Sequence, residues 1–206
     1  VRIRLAYTAV NRVDLEVRAG QFGAPVMLPH ILGTEGVGVV DAIGAAVAGV
    51  APGERVATQV ILSCGRCAAR VRGADNLCRT YRVLGCTTPG CYAQYVCVPA
   101  HRVVRLPDAL PFATAIAGQK LVTAWEALVD TAHLAAGETV LVNGATGGVG
   151  TSAVQLAAHL GARVIASGGS DDKLARAREL GAWATINYRN EAIDDAVARL
   201  TGGEGV

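Results

Sequence analysis

The chain of 206 residues lacks an excess of either charge: 19 basic against 17 acidic side chains leave a formal net charge of +2. That balance gives no footing for phosphate backbones or anionic lipid, so neither nucleic acid nor a membrane is suggested as a partner and small-molecule chemistry is the default. Long apolar runs are missing as well. Residues 36–53, GVGVVDAIGAAVAGVAPG, approach the length of a membrane span, but Asp41 interrupts them and five glycines and Pro52 break them, so strand and turn are expected. No basic region followed by an apolar stretch and a small-residue cleavage site is visible, which makes the cytoplasm the default compartment. Cysteine is absent from 172 residues, because Cys64, Cys67, Cys78, Cys86, Cys91 and Cys97 crowd into the remaining 34. Such clustering argues for a local metal site rather than a disulfide framework spread over a secreted fold.

Residues 140–169, VLVNGATGGVGTSAVQLAAHLGARVIASGG, say most about chemistry. An apolar run passes through Gly144, Gly147 and Gly150, three apart, into a helix whose Val149, Ala153, Val154, Leu156, Ala157 and Leu160 fall on one face; Gly161 stops it. A second apolar run, Arg163 to Ser167, completes a βαβ unit. A pyrophosphate needs unpaired backbone N–H groups, and glycines let the backbone approach it at the positive end of a helix. The strict GxGxxG form is not met, since Ala145 occupies its first position, and a tight turn in an ordinary βαβ unit is the alternative.

Residues 1 to about 107 carry short alternating runs, among them VRIRLAYTAV, GVGVVDAI, RVATQVIL, YAQYVCVP and HRVVRLP, which read as a β-rich domain with glycine turns. Alanine-rich connecting helices are expected over 108–136. Beyond them the pattern predicts strand 138–143, helix 148–160, strand 162–167, helix 171–180, strand 184–187 and helix 191–201, with Ser170 and Asn190 as N-caps and Gly181 and Gly202 as stops. This is one mononucleotide half of a dinucleotide fold, ending at TGGEGV, a turn that should lead into a fourth strand. In the order 3-2-1-4-5-6 the strand TVLVN would be a bare edge, and Val1 opens in mid-strand without an initiator methionine. The chain therefore reads as cropped, and on that reading the 206 residues alone are expected to aggregate and to be inactive.

Four segments in order, NRVDLEVRAG (11–20), ILGTEGVGVV (31–40), CGRC with ADNLC (64–78) and GATGGVG (144–150), resemble the medium-chain dehydrogenase/reductase superfamily on its quinone oxidoreductase-like, zinc-type alcohol dehydrogenase-like side. The resemblance implies an α/β plus β architecture. A GroES-like β-barrel domain over 1–107, with a cysteine lobe at 64–91, is followed after 108–136 by a truncated Rossmann-fold NAD(P)-binding domain over 137–206. Substrate would lie in the cleft between them. The resemblance also implies a homodimer or tetramer for the full-length protein.

Zinc-dependent members of the superfamily hold a catalytic zinc with a cysteine near position 11, a histidine at the position of Thr34 and a third ligand near position 119. This chain has Asn11, Thr34 and Gln119, and amide or hydroxyl groups do not replace thiolate and imidazole, so no catalytic zinc is expected. Glu35 would be at most a polar group of the cleft, and His30, His101, His133 and His159 are scattered singly. Without a Lewis acid, hydride addition to a quinone or an α,β-unsaturated carbonyl fits better than alcohol oxidation, because such a substrate delocalises the developing charge into its own oxygen and a hydrogen-bond donor suffices. Asn11 is the first candidate donor, Tyr7 and Thr34 the next; alternatively Asn11 and Asp14 only organise a turn.

The structural zinc lobe of the superfamily resembles CxxCxxCxxxxxxxC, matched here at Cys64, Cys67 and Cys78 with Arg70 at the third position. A guanidinium cannot ligate zinc. Either the site is lost or weak, which is favoured, or Cys86 or Cys91 folds back to complete it. Arg66, Arg70, Arg72, Arg79 and Arg82 against Asp75 form a solvated basic lobe; the aromatic interleaving and second ligand pair of a nucleic-acid zinc ribbon are missing.

The resemblance assigns cofactor contacts to Thr123, Gly144, Gly147, Gly148, Val149, Ser167, Gly168 and Ser170. NAD-preferring folds put a carboxylate at the end of the second strand. Here the strand ends Ser167, Gly168, Gly169, Ser170, while Lys173 and Tyr188 resemble contacts to the 2′-phosphate, so NADPH is favoured over NADH; Asp171 and Asp172 are left to the helix N-terminus. The leading reading is an NADPH-dependent reductase of quinones or enones. The alternatives are an alcohol or aldehyde dehydrogenase relative, the enoyl reductase of a larger synthase, and a nucleotide-binding protein without turnover.

Overall fold

In β1 (Arg2–Thr8) Ile3 is fully buried between the exposed Arg2 and Arg4, the alternation of a strand with one face on a core. The first part of the chain continues through α1 (Arg12–Arg18), β2 (Gly36–Ala42), β3 (Arg55–Thr58), β4 (Ile61–Leu62), α2 (Ala68–Val71), β5 (Arg82–Val83), β6 (Tyr95–Cys97), β7 (Val103–Arg105) and α3 (Phe112–Ala115). The computed structural model describes all 206 residues, and they divide into two units, Val1–Ala117 and Gly118–Val206.

The first unit holds one antiparallel sheet of order β6-β1-β2-β3-β7 and a separate pair β4-β5. Gly38 is required where β2 pairs with β1 beside Leu5, because a Cβ there would stand 2.1 Å from the Arg4 carbonyl oxygen. Ile3, Val40, Val56, Leu84, Cys91, Val96 and Val98 form the core. The barrel expected from the resemblance is not formed. Closure requires every strand to have two partners at a consistent tilt and stagger, whereas β6 and β7, three residues each, pair on one side only and end the ladder. Residues 36–53 form β2 and a turn, and no helix of the chain is long and apolar enough to cross a membrane.

The second unit starts with α4 (Gly118–Trp125), which runs on as a π-helical stretch, Glu126–Thr131. Then β8 (Thr139–Val142), α5 (Gly148–His159), β9 (Arg163–Gly168), α6 (Asp171–Glu179), β10 (Ala184–Asn187) and α7 (Ile193–Thr201) alternate. The three strands are parallel in the order β10-β9-β8, with β8 at an edge, and each parallel connection is made by a helix. Val164 to Gly168 of β9 are all buried, as in a central strand covered on both faces. Helix α5 buries Gly150, Ala153, Val154, Leu156 and Ala157.

Two local expectations are corrected. Val149 is 44% exposed rather than packed with the apolar face, because it belongs to the first turn of α5, at the rim of the sheet. Asn190 does not cap α7: it sits in a turn with its N–H on the Asn187 carbonyl, and the helix begins at Ile193 after Ala192. Gly161, Gly181 and Gly202 follow their helices with positive φ, as stop residues do.

Candidate functional site

The turn from β8 into α5 is built by its glycines. Gly144 takes φ +65, the buried Ala145 donates its N–H to the Ser167 carbonyl at 2.9 Å, and Gly147 donates to the Gly144 carbonyl at 3.0 Å. A Cβ at Gly150 would stand 2.2 Å from the Gly144 carbonyl oxygen, so only glycine lets α5 lie this close to the turn. The N–H groups of Gly148, Val149 and Gly150 open α5 and find no acceptor in the chain, so they are donors for an anion at the positive end of a twelve-residue helix. These residues fit a dinucleotide pyrophosphate.

The other cofactor candidates separate into outward and inward groups. Ser167 is buried and donates its hydroxyl to Asn143 Oδ1 at 2.8 Å, tying the ends of β8 and β9 together. Gly168 is covered by Leu174 and Thr146, and the Tyr188 ring lies over Gly169, with its oxygen 2.7 Å from where a Cβ would be. Ser170 stands at the N-cap position of α6 without a side-chain capping bond. Lys173 is exposed in the first turn of α6. The carboxylate of Asp171 accepts from Asn187 Nδ2 at 2.7 Å and so is already engaged. Thr123, on α4, donates to the Gln119 carbonyl at 3.3 Å, while the Lys120 stem on the same helix reaches Gly148.

In the first unit Asn11 and Thr34 come together, 23 residues apart in sequence. Asn11 opens α1, its backbone N–H donating to Asp14 Oδ2 at 2.7 Å. Its side-chain Nδ2 donates to Thr34 Oγ1 at 3.0 Å and to Glu35 Oε1. Asn11 is half-buried, whereas Asp14, Thr34 and Glu35 are buried. Asn11 and Asp14 do organise the start of α1 as a capping box, and the Asn11 Nδ2 in addition reaches Thr34 and Glu35. Tyr7 is half exposed on β1 and makes no side-chain hydrogen bond. Sequence reasoning missed Tyr92, whose hydroxyl donates to Asp14 Oδ2 at 2.8 Å. Burial, then the bond to Asp14, pushes the Tyr92 phenol well above its usual range, so it keeps its proton and remains a donor. Nothing in CYAQY distinguishes it from Tyr95, which makes no such bond.

In the cysteine lobe the sulfurs of Cys64, Cys67 and Cys78 lie within 4.8 Å of one another. Arg70 is turned to Asp75 at 3.0 Å, and Asp75 also takes Ser63 Oγ at 2.6 Å and the buried Arg102 guanidinium. These donors, Ser63 first, hold the Asp75 carboxyl below its usual value. Backbone N–H groups of Cys64 and Thr80 bring the Cys78 thiol down to about 6. Cys86 and Cys91 do not join the cluster. Both are fully buried, and burial raises their thiols to about 11 and about 12, the wrong direction for a ligating thiolate. A cavity of about 780 Å³ beside the lobe, lined among others by Ile31, Leu62, Arg82 and His101, contains neither Asn11 nor Thr34.

The family model of the alcohol dehydrogenase GroES-like domain matches residues 1–108, and that of zinc-binding dehydrogenases matches residues 148–206. An L-threonine 3-dehydrogenase of Anaeromyxobacter sp. (strain Fw109-5) is 35% identical over 100% of this chain and 60% of its own length. Among solved structures, an NAD-dependent alcohol dehydrogenase is 46% identical with a TM-score of 0.93, over 100% of this chain and 60% of that one. Escherichia coli quinone oxidoreductase complexed with NADPH is 29% identical with a TM-score of 0.81, over 98% of this chain and 54% of that one. The chain thus spans a little over half the length of these relatives.

Proposed function

Because the chain belongs to the medium-chain dehydrogenase/reductase superfamily, in its quinone oxidoreductase and zinc-type alcohol dehydrogenase-like family, we propose that the protein is an NADPH-dependent reductase of small quinones or α,β-unsaturated carbonyls that works without catalytic zinc. The observation that carries this reading is the hydrogen-bonded set of Asn11, Thr34 and Glu35, in which the two positions that the resemblance equates with a thiolate and an imidazole ligand hold an amide and a hydroxyl. Bound reduced nicotinamide supplies the hydride. The N–H groups of Gly148, Val149 and Gly150 would hold the pyrophosphate, and Lys173 with Tyr188 would meet the 2′-phosphate.

Asn11 is the half-buried member of the set, while Thr34 and Glu35 are buried. Its amide hydrogen on the Glu35 carboxylate is the charge-assisted one and fixes the orientation of the amide; its bond to the Thr34 hydroxyl is neutral and the weaker of the two. A substrate oxygen can take over that second hydrogen at a net cost of about 1 kcal/mol, and the donor then strengthens as negative charge develops on the oxygen. A cytoplasmic homodimer or tetramer is the setting this reading takes.

The test is NADPH oxidation by the full-length protein with 1,4-benzoquinone and trans-2-hexenal before and after dialysis against a chelator. Acceptor-dependent oxidation is expected, with the rate unchanged by chelation. The 46% identical NAD-dependent alcohol dehydrogenase favours a second reading, alcohol oxidation with NAD, which takes over if activity appears only with NAD and alcohols, falls on chelation and returns with zinc.

For the cysteine lobe we propose a weakened structural zinc site, since three thiols are gathered and the third position of the pattern is taken by Arg70, already paired with Asp75. Arg70→Cys should raise the bound zinc toward one per chain and raise the melting temperature. A parent protein that already retains one zinc per chain after exhaustive dialysis would overturn this assignment.

A further inference from the structure

We infer that Tyr92, acting through Asp14, is the positioning residue for the Asn11–Thr34 pair; this rests on the reductase reading above. The two members of that pair are carried by different segments, the start of α1 and the loop before β2, and one residue grips both. Toward the loop the grip is backbone. The N–H groups of Gly90, Cys91 and Tyr92 donate to the carbonyls of Ile31, Gly33 and Leu32, each at 2.8 Å. The Tyr92 ring lies flush on the same loop: a Cβ at Gly33 would come within 2.6 Å of Tyr92 Cδ1, and Gly33 takes φ +102, which disfavours any side chain there in any case.

Toward α1 the grip is the phenol, which donates to Asp14 Oδ2 at 2.8 Å and lies 3.4 Å from the Ala9 carbonyl oxygen. The same Oδ2 receives the Asn11 backbone N–H at 2.7 Å, so one oxygen couples the tyrosine to the residue proposed to donate to substrate.

Asp14 is an expensive way to begin a seven-residue helix. It is 2% exposed, its Oδ1 has no hydrogen-bond partner, and an exposed acidic residue at the same N3 position would close the capping box without burying a carboxylate. What burial adds is rigidity. A carboxylate that can neither turn to water nor find a third donor is held by its two donors, and the Asn11 amide is held with it. Displacement of a reacting group by about 1 Å costs on the order of a hundredfold in rate, so a set bridging two segments needs such a clamp.

The experiment compares, all in the full-length protein, the parent with Tyr92→Phe, Asp14→Asn and the double variant. Tyr92→Phe keeps the ring on Gly33 and removes only the hydroxyl. We expect kcat with benzoquinone or hexenal to fall about tenfold while the dissociation constant for NADPH stays within about twofold. Backbone hydrogen exchange should rise in residues 9–14 and leave the second unit unchanged. The double variant should be no slower than the slower single variant, because both act through one bond. An unchanged kcat in Tyr92→Phe, or faster exchange confined to residues 89–95, would overturn the inference. If the parent reduces neither acceptor, the reductase reading fails on its own, and hydrogen exchange in Tyr92→Phe still decides whether the clamp exists. If Asp14→Asn does not fold, Tyr92→Phe alone carries the test.

Discussion

Gly150→Val should cost the second unit more stability than any other single change at the glycine turn, and should weaken NADPH binding in whatever remains folded. The added Cβ would sit 2.2 Å from the Gly144 carbonyl oxygen and 2.7 Å from the Ala145 Cα, and neither is the movable end of a side chain. Helix α5 would have to lift off β8, yet Ala145 is fully buried and bonded through its N–H to Ser167. Overpacking of this kind costs about 1–3 kcal/mol and more where backbone must move, a large share of the stability of a small domain. Gly150→Ala should show the same effect at smaller size. Gly147→Ala separates stability from binding: its Cβ would rest 3.5 Å from the Gly144 oxygen, an ordinary contact, and φ −86 suits alanine. Its melting temperature should stay near that of the parent while nucleotide affinity drops, because the new methyl occupies the approach to the helix N-terminus. Thermal unfolding and NADPH titration of the three variants check this, and a Gly150→Ala protein as stable as the parent would show that the close contact is not a constraint.

Lys173→Glu is expected to erase or reverse a preference for NADPH over NADH. Lys173 is exposed in the first turn of α6, and it makes no ion pair. The nearest carboxylate along the chain that would favour ribose hydroxyls, Asp171, is occupied by Asn187 at 2.7 Å. A charge-assisted bond to the 2′-phosphate contributes about 1.5–3 kcal/mol, or roughly tenfold to somewhat over a hundredfold in the ratio of dissociation constants. Replacing the ammonium with a carboxylate removes that contribution and adds repulsion specific to NADPH. Calorimetric titration of parent and variant with both cofactors measures the ratio directly. Equal affinities in the parent, or tighter binding of NADH, would overturn the assignment and strengthen the reading as an NAD-linked alcohol dehydrogenase.

Local pattern by itself determined the succession of elements in the second unit. The apolar spacing of 148–160 and the runs at 162–167 and 184–187 predict α5, β9 and β10 to within a residue or two, because helix and strand periods and glycine stops are properties of neighbouring residues. The gathering of Cys64, Cys67 and Cys78 was legible for the same reason. Tertiary structure alone decided the rest. Whether the first sheet closes depends on how far β6 and β7 pair, and no strand carries that information in its own residues. Asn143 takes the Ser167 hydroxyl from 24 residues away, and Asp75 receives Arg102 across the lobe as well as the nearby Arg70. Tyr92 meets Asp14 across 78 residues of chain. A side chain's hydrogen-bond partner is set by which segments the core brings together, and burial then makes each such bond costly to lose; a sequence records the donors and acceptors but not their distances.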